Sequence, residues 1–272
     1  MINLDNLNFY SEKSLYKKPQ ILLTFDVEEF DIPNEYGYRI TLEEQMEVGK
    51  RGLDAITKIL EDENILCTLF VTANYAKHFP MDILRLSKKH EIASHSLNHS
   101  SFKSEDLINS RKILEEITLK KVIGLRIPRM NRINPLAVKE AGYKYDSSVN
   151  PTWIPGKYDN RNMPRTIYQE HGIIEIPASV SPNLRLPLFW LSFKNLPYFW
   201  YRQMVIQSLK KDRYLCLYFH PWEFTIIDNY NLPFLVRRNM GTTLLDRLKL
   251  LISDIKPLGE FNSISSFLGF RI

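Results

Sequence analysis

Asp26 and Glu28 close the apolar run QILLTFDVEEF, and two residues apart on an extended strand their carboxylates project to the same side. Two anions so placed raise each other's pKa unless a cation intervenes. A metal on one of them resolves the conflict and leaves the other as a general base; the plainer alternative is an acidic turn in water. His95 and His99, in HSLNH, have a four-residue spacing that sets two imidazoles on one side of a helical turn or together in a tight loop. Two histidines and one carboxylate with open positions make a catalytic metal site, although isolated HxxxH pairs also arise by chance. His220 ends LYF and precedes Pro221, Trp222 and Glu223. Poised between water and core, it can titrate near neutrality for acid or base work, or it is a half-buried histidine bonded to a carbonyl. Arg126, in LRIP, sets a permanent cation near these groups, where it can hold Asp26 ionised or form a surface ion pair. Asp146, in YDSS, is a further carboxylate at a strand end. His78, His90 and His171 have polar neighbours and no partner at ligand spacing, and are expected on the surface.

Strands and helices alternate so as to deliver these groups. QILLTFDV reads as a buried strand ending in carboxylates. Thr41 with Glu44 has a capping-box pattern, and Leu53, Ile56 and Leu60 keep helical spacing over about 20 residues. Strands at ILCTLFVT, EIASHS, VIGLRIP, YDSSV, IIEIPAS and RYLCLYFHPW alternate with helices at MDILRLSKKH, SEDLINSRKILEEIT, NPLAVKEAGY and the aromatic-rich LPYFWYRQMVIQSLKKD. TTLLDRLKLLISDI adds a helix, and EFNSI a terminal strand. About seven alternations imply a parallel barrel or a doubly wound sheet. In a parallel barrel the C-terminal strand ends converge on one face, where catalytic groups collect. An N-terminal arm at residues 1–19 precedes one domain at 20–272, and the stretch 150–172, rich in Pro, Asn and Arg, reads as an insertion loop.

With 272 residues, 44% of them apolar, the chain can build a full core, which excludes disorder and fibrous repeats. Its formal charge of +5 comes without long basic runs and gives no support to nucleic-acid binding. Cys67 and Cys216 sit in apolar runs with no CxxC, as small core residues. No basic start with an apolar core marks a leader, and no segment has the length of a membrane span, so a cytoplasmic protein is expected. Oligomeric state is not readable.

Taken in order, TFDVE, HSLNH, GLRIP, YDSS and LYFHPWE resemble the polysaccharide deacetylase (NodB-homology) superfamily of carbohydrate-esterase type, in its branch with DVE or DVD and with HPWE at the last motif. The resemblance implies an α/β fold, a distorted (β/α) barrel with about seven parallel strands. It implies metal-assisted hydrolysis of an N-acetyl amide on an amino sugar, in a polysaccharide or glycan precursor. By motif, Asp26 is then the general base, and Glu28, His95 and His99 hold a divalent metal, most plausibly zinc. Arg126 orients Asp26, His220 is the general acid, Asp146 supports the catalytic groups, and Trp222 forms an apolar wall for the acetyl methyl. Three departures stand out. Glu28 is a methylene longer than the usual aspartate ligand, Arg129 and Met130 follow RIP where small residues are common, and PLFWLSFKNLPYFWY places many rings on the substrate side.

Two other classes compete with the deacetylase. One is a metal-independent amidase, deformylase or ureide hydrolase on the same barrel. The other is a non-catalytic carbohydrate-binding protein.

Overall fold

The computed structural model describes residues 16–271, so most of the arm expected at 1–19 lies outside the described residues. The strands are β1 (Gln20–Val27), β2 (Thr68–Val71), β3 (Glu91–Ser94), β4 (Gly124–Leu125), β5 (Tyr145–Asp146), β6 (Trp153–Ile154), β7 (Tyr158–Asp159), β8 (Tyr168–Glu170), β9 (Ile173–Glu175), β10 (Tyr214–Phe219) and β11 (Glu260–Phe261). A nine-stranded sheet runs β10-β1-β2-β3-β4-β5-β9-β8, with β11 added beside β1. All its pairings are parallel except β8 with β9.

This sheet curls into a parallel-rich half barrel whose open side is bridged by the chain beyond β9. There the Ser179 amide donates to the Cys216 carbonyl (2.8 Å), and the Cys216 amide donates to Ser179 Oγ (2.9 Å). Paired strand ends are short, two residues each in β4 and β5; just past them the Ile127 amide donates to Ser148 Oγ (2.8 Å) and not to a backbone carbonyl. The expected insertion loop at 150–172 is corrected: it holds the β6–β7 hairpin and the edge strand β8.

Alternation along the strands separates two environments. Ile21, Leu23, Phe25 and Val27 of β1 join Leu69, Val71, Leu215, Leu217 and Phe219 in the cluster that includes the helices. Leu22, Phe70, Ala93, Tyr145, Tyr214 and Cys216 form a second cluster inside the curl. Asp26 continues the series Leu22, Thr24, while Tyr218 and then His220 continue Tyr214, Cys216, so the chemistry-bearing residues extend the inner face where apolar packing stops. Cys67 and Cys216 are buried free thiols.

The Leu42–Asp62 helix starts as its sequence dictates, with Thr41 Oγ1 accepting from the Glu44 amide (3.2 Å). Glu44 does not complete a capping box by its side chain; it accepts from the Tyr230 hydroxyl instead (2.7 Å). Two helical glycines let this helix lie against both site loops. A Cβ on Gly49 would stand 2.8 Å from the Glu28 carbonyl, and one on Gly52 would stand 2.0 Å from the Pro221 carbonyl. The helix thereby braces the turns that carry Glu28 and His220.

His78 and His171 are exposed as expected, but His90 is a correction: it is 4% exposed, with Nδ1 3.4 Å from Cys67 Sγ. Polar neighbours in sequence misled here because the chain turns inward at His90 to enter β3. Burial, with Lys89 and Arg85 nearby, holds its pKa down at about 4.

Gly52→Ala should lower stability by about 1–3 kcal/mol in chemical denaturation despite the better helix propensity of alanine, since the added methyl meets backbone. For His90, the unfolded chain takes up a proton below about pH 6.5 and the folded chain does not until about pH 4. Its contribution is therefore intact above pH 6.5 and is lost progressively as pH falls from there to about 4. Denaturation at pH 7 and 4.5 should show the wild type losing about 2 kcal/mol more than His90→Leu.

Candidate active site

A cleft of about 740 Å³, its open mouth included, lies at the C-terminal strand ends. Asp26, Glu28, His95, His99, His220 and Trp222 all line it. Arg126 lies beneath it, fully buried, with its guanidinium carbon 4.0 Å from the centroid of the Phe70 ring. Each of its nitrogens has a partner. Nη1 donates to Asp26 Oδ1 (2.7 Å) and Thr24 Oγ1 (2.8 Å), Nη2 to Ser147 Oγ (2.9 Å), and Nε to the Ser147 carbonyl (3.1 Å). One oxygen of Asp26 is thus committed to a permanent cation, and the other faces His220 Nε2 at 4.0 Å.

Glu28 serves the other half of the cleft. Its Oε2 lies 3.1 Å from His95 Nε2 and 3.3 Å from His99 Nε2, while its Oε1 accepts from Trp222 Nε1 (3.1 Å). The far nitrogens of both imidazoles are engaged: His95 Nδ1 donates to the Arg126 carbonyl (2.8 Å) and His99 Nδ1 to Asp31 Oδ1 (2.6 Å). Because a carbonyl and a carboxylate only accept, these bonds put the Nδ1 hydrogens outward and turn the Nε2 lone pairs of the neutral rings on Glu28. Three lone-pair-bearing atoms, all within 4.8 Å of one another, then converge on one point. Such a cluster could hold a cation, and carbonyl and carboxylate partners behind imidazoles are the usual second layer of a metal site. The donor set fits a divalent metal of zinc type, with positions left open.

The charges of these side chains also act on one another. Burial raises the cost of ionising Glu28, yet His99, His220 and His95 outweigh it and hold its pKa at about 2. Burial alone would depress His99, but Glu28 and Asp31 lift it to about 9. His220 is likewise raised, with the desolvation of its ring overcome by Glu28, Glu223 and Asp26.

His220 is oriented from behind. Glu223 Oε1 accepts from both the His220 amide (2.9 Å) and His220 Nδ1 (3.0 Å), leaving Nε2 toward the cleft, 3.9 Å from Glu28 Oε1. Trp222 stacks on the imidazole (5.1 Å between centroids) and Trp190 meets it edge-on (5.3 Å). Trp222 is therefore both a wall of the cleft and the donor that aims Glu28.

Asp146 is placed apart. It is buried and accepts from the Ser148 hydroxyl, and it is not among the residues lining the cleft. Burial lifts its pKa to about 6, and that of Glu175 beside it is raised further by burial and by the Asp146 charge. Of the unusual residues, Arg129 and Met130 do line the cleft, in consecutive left-handed conformations (φ 59° and 56°), and Arg129 Nε donates to Glu35 Oε1 (2.8 Å). From the aromatic stretch, Phe189 and Trp190 face the cleft, whereas Phe193 and Tyr201 are core.

Sequence reasoning missed Asp31, Glu223 and Lys194. Asp31 and Glu223 carried a usable signal, standing inside the DVEEFD and HPWE runs at short spacing from Glu28 and His220. Lys194 had none.

The comparisons fall into line with this geometry. Residues 14–145 match the polysaccharide deacetylase family, and residues 147–256 match a domain of unknown function (DUF3473). Residues 14–145 thus carry a polysaccharide deacetylase domain. Strands from both matched segments form its one curled sheet. The fold is similar to that of structures described as polysaccharide deacetylases from Mycobacterium smegmatis (18% identity, 88% of this chain and 84% of that one, TM-score 0.60) and Pseudomonas aeruginosa PAO1 (15%, 91% and 88%, 0.61). It is also similar to that of a PuuE allantoinase (15%, 91% and 88%, 0.58). At such identities the likeness is one of fold. No curated protein matches the chain, and among the described residues no helix is long and apolar enough to cross a membrane.

Arg126→Met keeps the bulk of the side chain but strands Asp26 as an uncompensated buried charge. It should cost about 3–5 kcal/mol in urea denaturation at pH 7, and Arg126→Met/Asp26→Asn should recover a large part of that loss.

Proposed function

We propose that this protein is a metal-dependent hydrolase that removes N-acetyl groups from an amino sugar in a polysaccharide or glycan precursor. The observation that carries the reading is the convergence of the Glu28, His95 and His99 ligand atoms beside a carboxylate and an imidazole that face each other at 4.0 Å. The family match supports the substrate class. We read residues 20–272 as one catalytic unit.

Glu28, His95 and His99 would hold the divalent metal, zinc by their chemistry, which supplies Lewis-acid polarisation of the acetyl carbonyl and acidifies water. The other steps belong to the chain. Asp26, held through Oδ1 by Arg126, accepts the proton of the attacking water through Oδ2. His220, whose Nδ1 hydrogen is fixed on Glu223, presents Nε2–H to the departing amine, so that nitrogen leaves protonated. Base and acid are close enough to serve two substituents of one carbon. Trp222 and Trp190 exclude water from the acid's side of the cleft, and the ring of Trp222 gives the acetyl methyl an apolar surface. Asp146 acts at a distance if at all: its bond to Ser148 secures the turn whose Ser148 hydroxyl accepts from the Ile127 amide, next to Arg126 (2.8 Å).

The buried ligand cluster favours this reading over a metal-independent amidase or ureide hydrolase, and the complete pairing of Asp26 and His220 favours it over a binding protein. Elemental analysis should find about one divalent ion per chain, lost in His95→Ala and His99→Ala. Acetate release from N-acetylated amino-sugar oligomers should fall by about 10²-fold or more in Asp26→Asn with the metal retained. Turnover of a ureide but of no acetylated or formylated sugar would overturn the proposal.

A further inference from the structure

Behind His220 stands a charge that the reaction scheme does not use. Lys194, on the Trp190–Asn195 helix, is 0% exposed, and its Nζ lies 2.9 Å from Oε2 of Glu223, also 0% exposed. The ammonium donates to the Val236 carbonyl (3.0 Å) and to Met240 Sδ. Trp190 and Trp222 flank it, with Nζ 5.0 and 5.9 Å from their ring centroids. Both side chains are closed off from bulk solvent. Removing two such ions from water costs several kcal/mol each, and apolar residues of the same volume would serve stability as well or better. The pair therefore needs an explanation other than stability.

Its geometry supplies one. The two oxygens of Glu223 are divided, Oε2 to Lys194 and Oε1 to the amide and Nδ1 of His220. A carboxylate so deep in the protein stays ionised only with a cation beside it. Were Glu223 to take a proton, a hydroxyl could face the His220 nitrogens, and the imidazole would lose the acceptor that keeps its hydrogen on Nδ1. Burial does push the Lys194 ammonium down and the Glu223 carboxyl up, and the attraction between them opposes both.

We propose that Lys194 is a positioning residue for the general acid: its buried ammonium fixes Glu223 as a carboxylate, and Glu223 in turn holds His220 with Nδ1–H inward and Nε2 toward the cleft. The inference rests on the role given to His220 under the proposed function, but the arrangement itself can be read without turnover. Lys194 and the Phe234–Arg237 helix that supplies the Val236 carbonyl both lie in the segment matching the domain of unknown function, which assigns part of that segment to the support of the acid.

The test uses the full chain with histidine 15N-labelled and the His220 resonance assigned through His220→Gln. The wild type should show a His220 Nδ1–H protected from exchange, and Lys194→Met should lose that protection with its metal content unchanged. Persistence of the protected signal in Lys194→Met overturns the proposal whether or not the protein deacetylates anything. Should Lys194→Met fold poorly, Lys194→Met/Glu223→Gln removes both charges together. With an active substrate, Lys194→Met should lower kcat about 10²-fold with little change in KM, and should slow a 4-nitrophenyl acetate ester, whose leaving group needs no proton, far less. In the Glu223→Gln background the same substitution should have little further effect on kcat. Additive losses, or equal losses on amide and ester, would mark Lys194 as structural only and sink the idea.

Discussion

Asp26 and Glu28 leave one strand end on the same side, and both carboxylates are buried. Holding two neighbouring carboxylates at this burial is the constraint to which the surrounding structure answers. Arg126 takes one oxygen of Asp26 from beneath, and two imidazoles and an indole take Glu28 from the other side. The conflict is resolved by dividing the partners, and under the proposed function that division separates a proton acceptor from a metal-binding arm.

The same economy extends outward. Arg126 satisfies Asp26 with its guanidinium and His95 with its carbonyl, so one residue sets both halves of the site. Glu223 and Asp31 do for His220 and His99 what that carbonyl does for His95, each fixing a hydrogen on Nδ1 and freeing Nε2. The strands provide the directions, because inner-face alternation in β1 and β10 ends in Asp26 and His220. The glycine face of the Leu42–Asp62 helix then presses the Glu28 and Pro221 turns into place. A small error in any of these supports would be felt in the cleft, where only 4.0 Å separates Asp26 Oδ2 from His220 Nε2.

Lys194 and Glu223 show where stability and function part. An apolar pair in their place would pack without the desolvation cost. The structure instead keeps two opposite charges fully buried behind an imidazole of the cleft, with one Glu223 oxygen toward each neighbour.

Much of this was legible in the residues alone, for identifiable reasons. Asp26 with Glu28, and His95 with His99, are local pairs, and local spacing is set by strand and loop geometry before any tertiary contact forms. The strand and helix alternation, the Thr41 cap and the buried cysteines follow likewise from short-range patterns. What needed the tertiary structure was everything decided by contacts far apart in sequence. His90 has polar neighbours along the chain and yet is buried against Cys67, and Asp146 ends a strand beside the others and yet turns to Ser148 and away from the cleft. The division of cations between two carboxylates, and the lysine that reaches Glu223 from another helix, are likewise products of the curl of the sheet. Sequence specifies which groups a strand end carries; only the packed fold, by excluding water, decides which charge each of them must face.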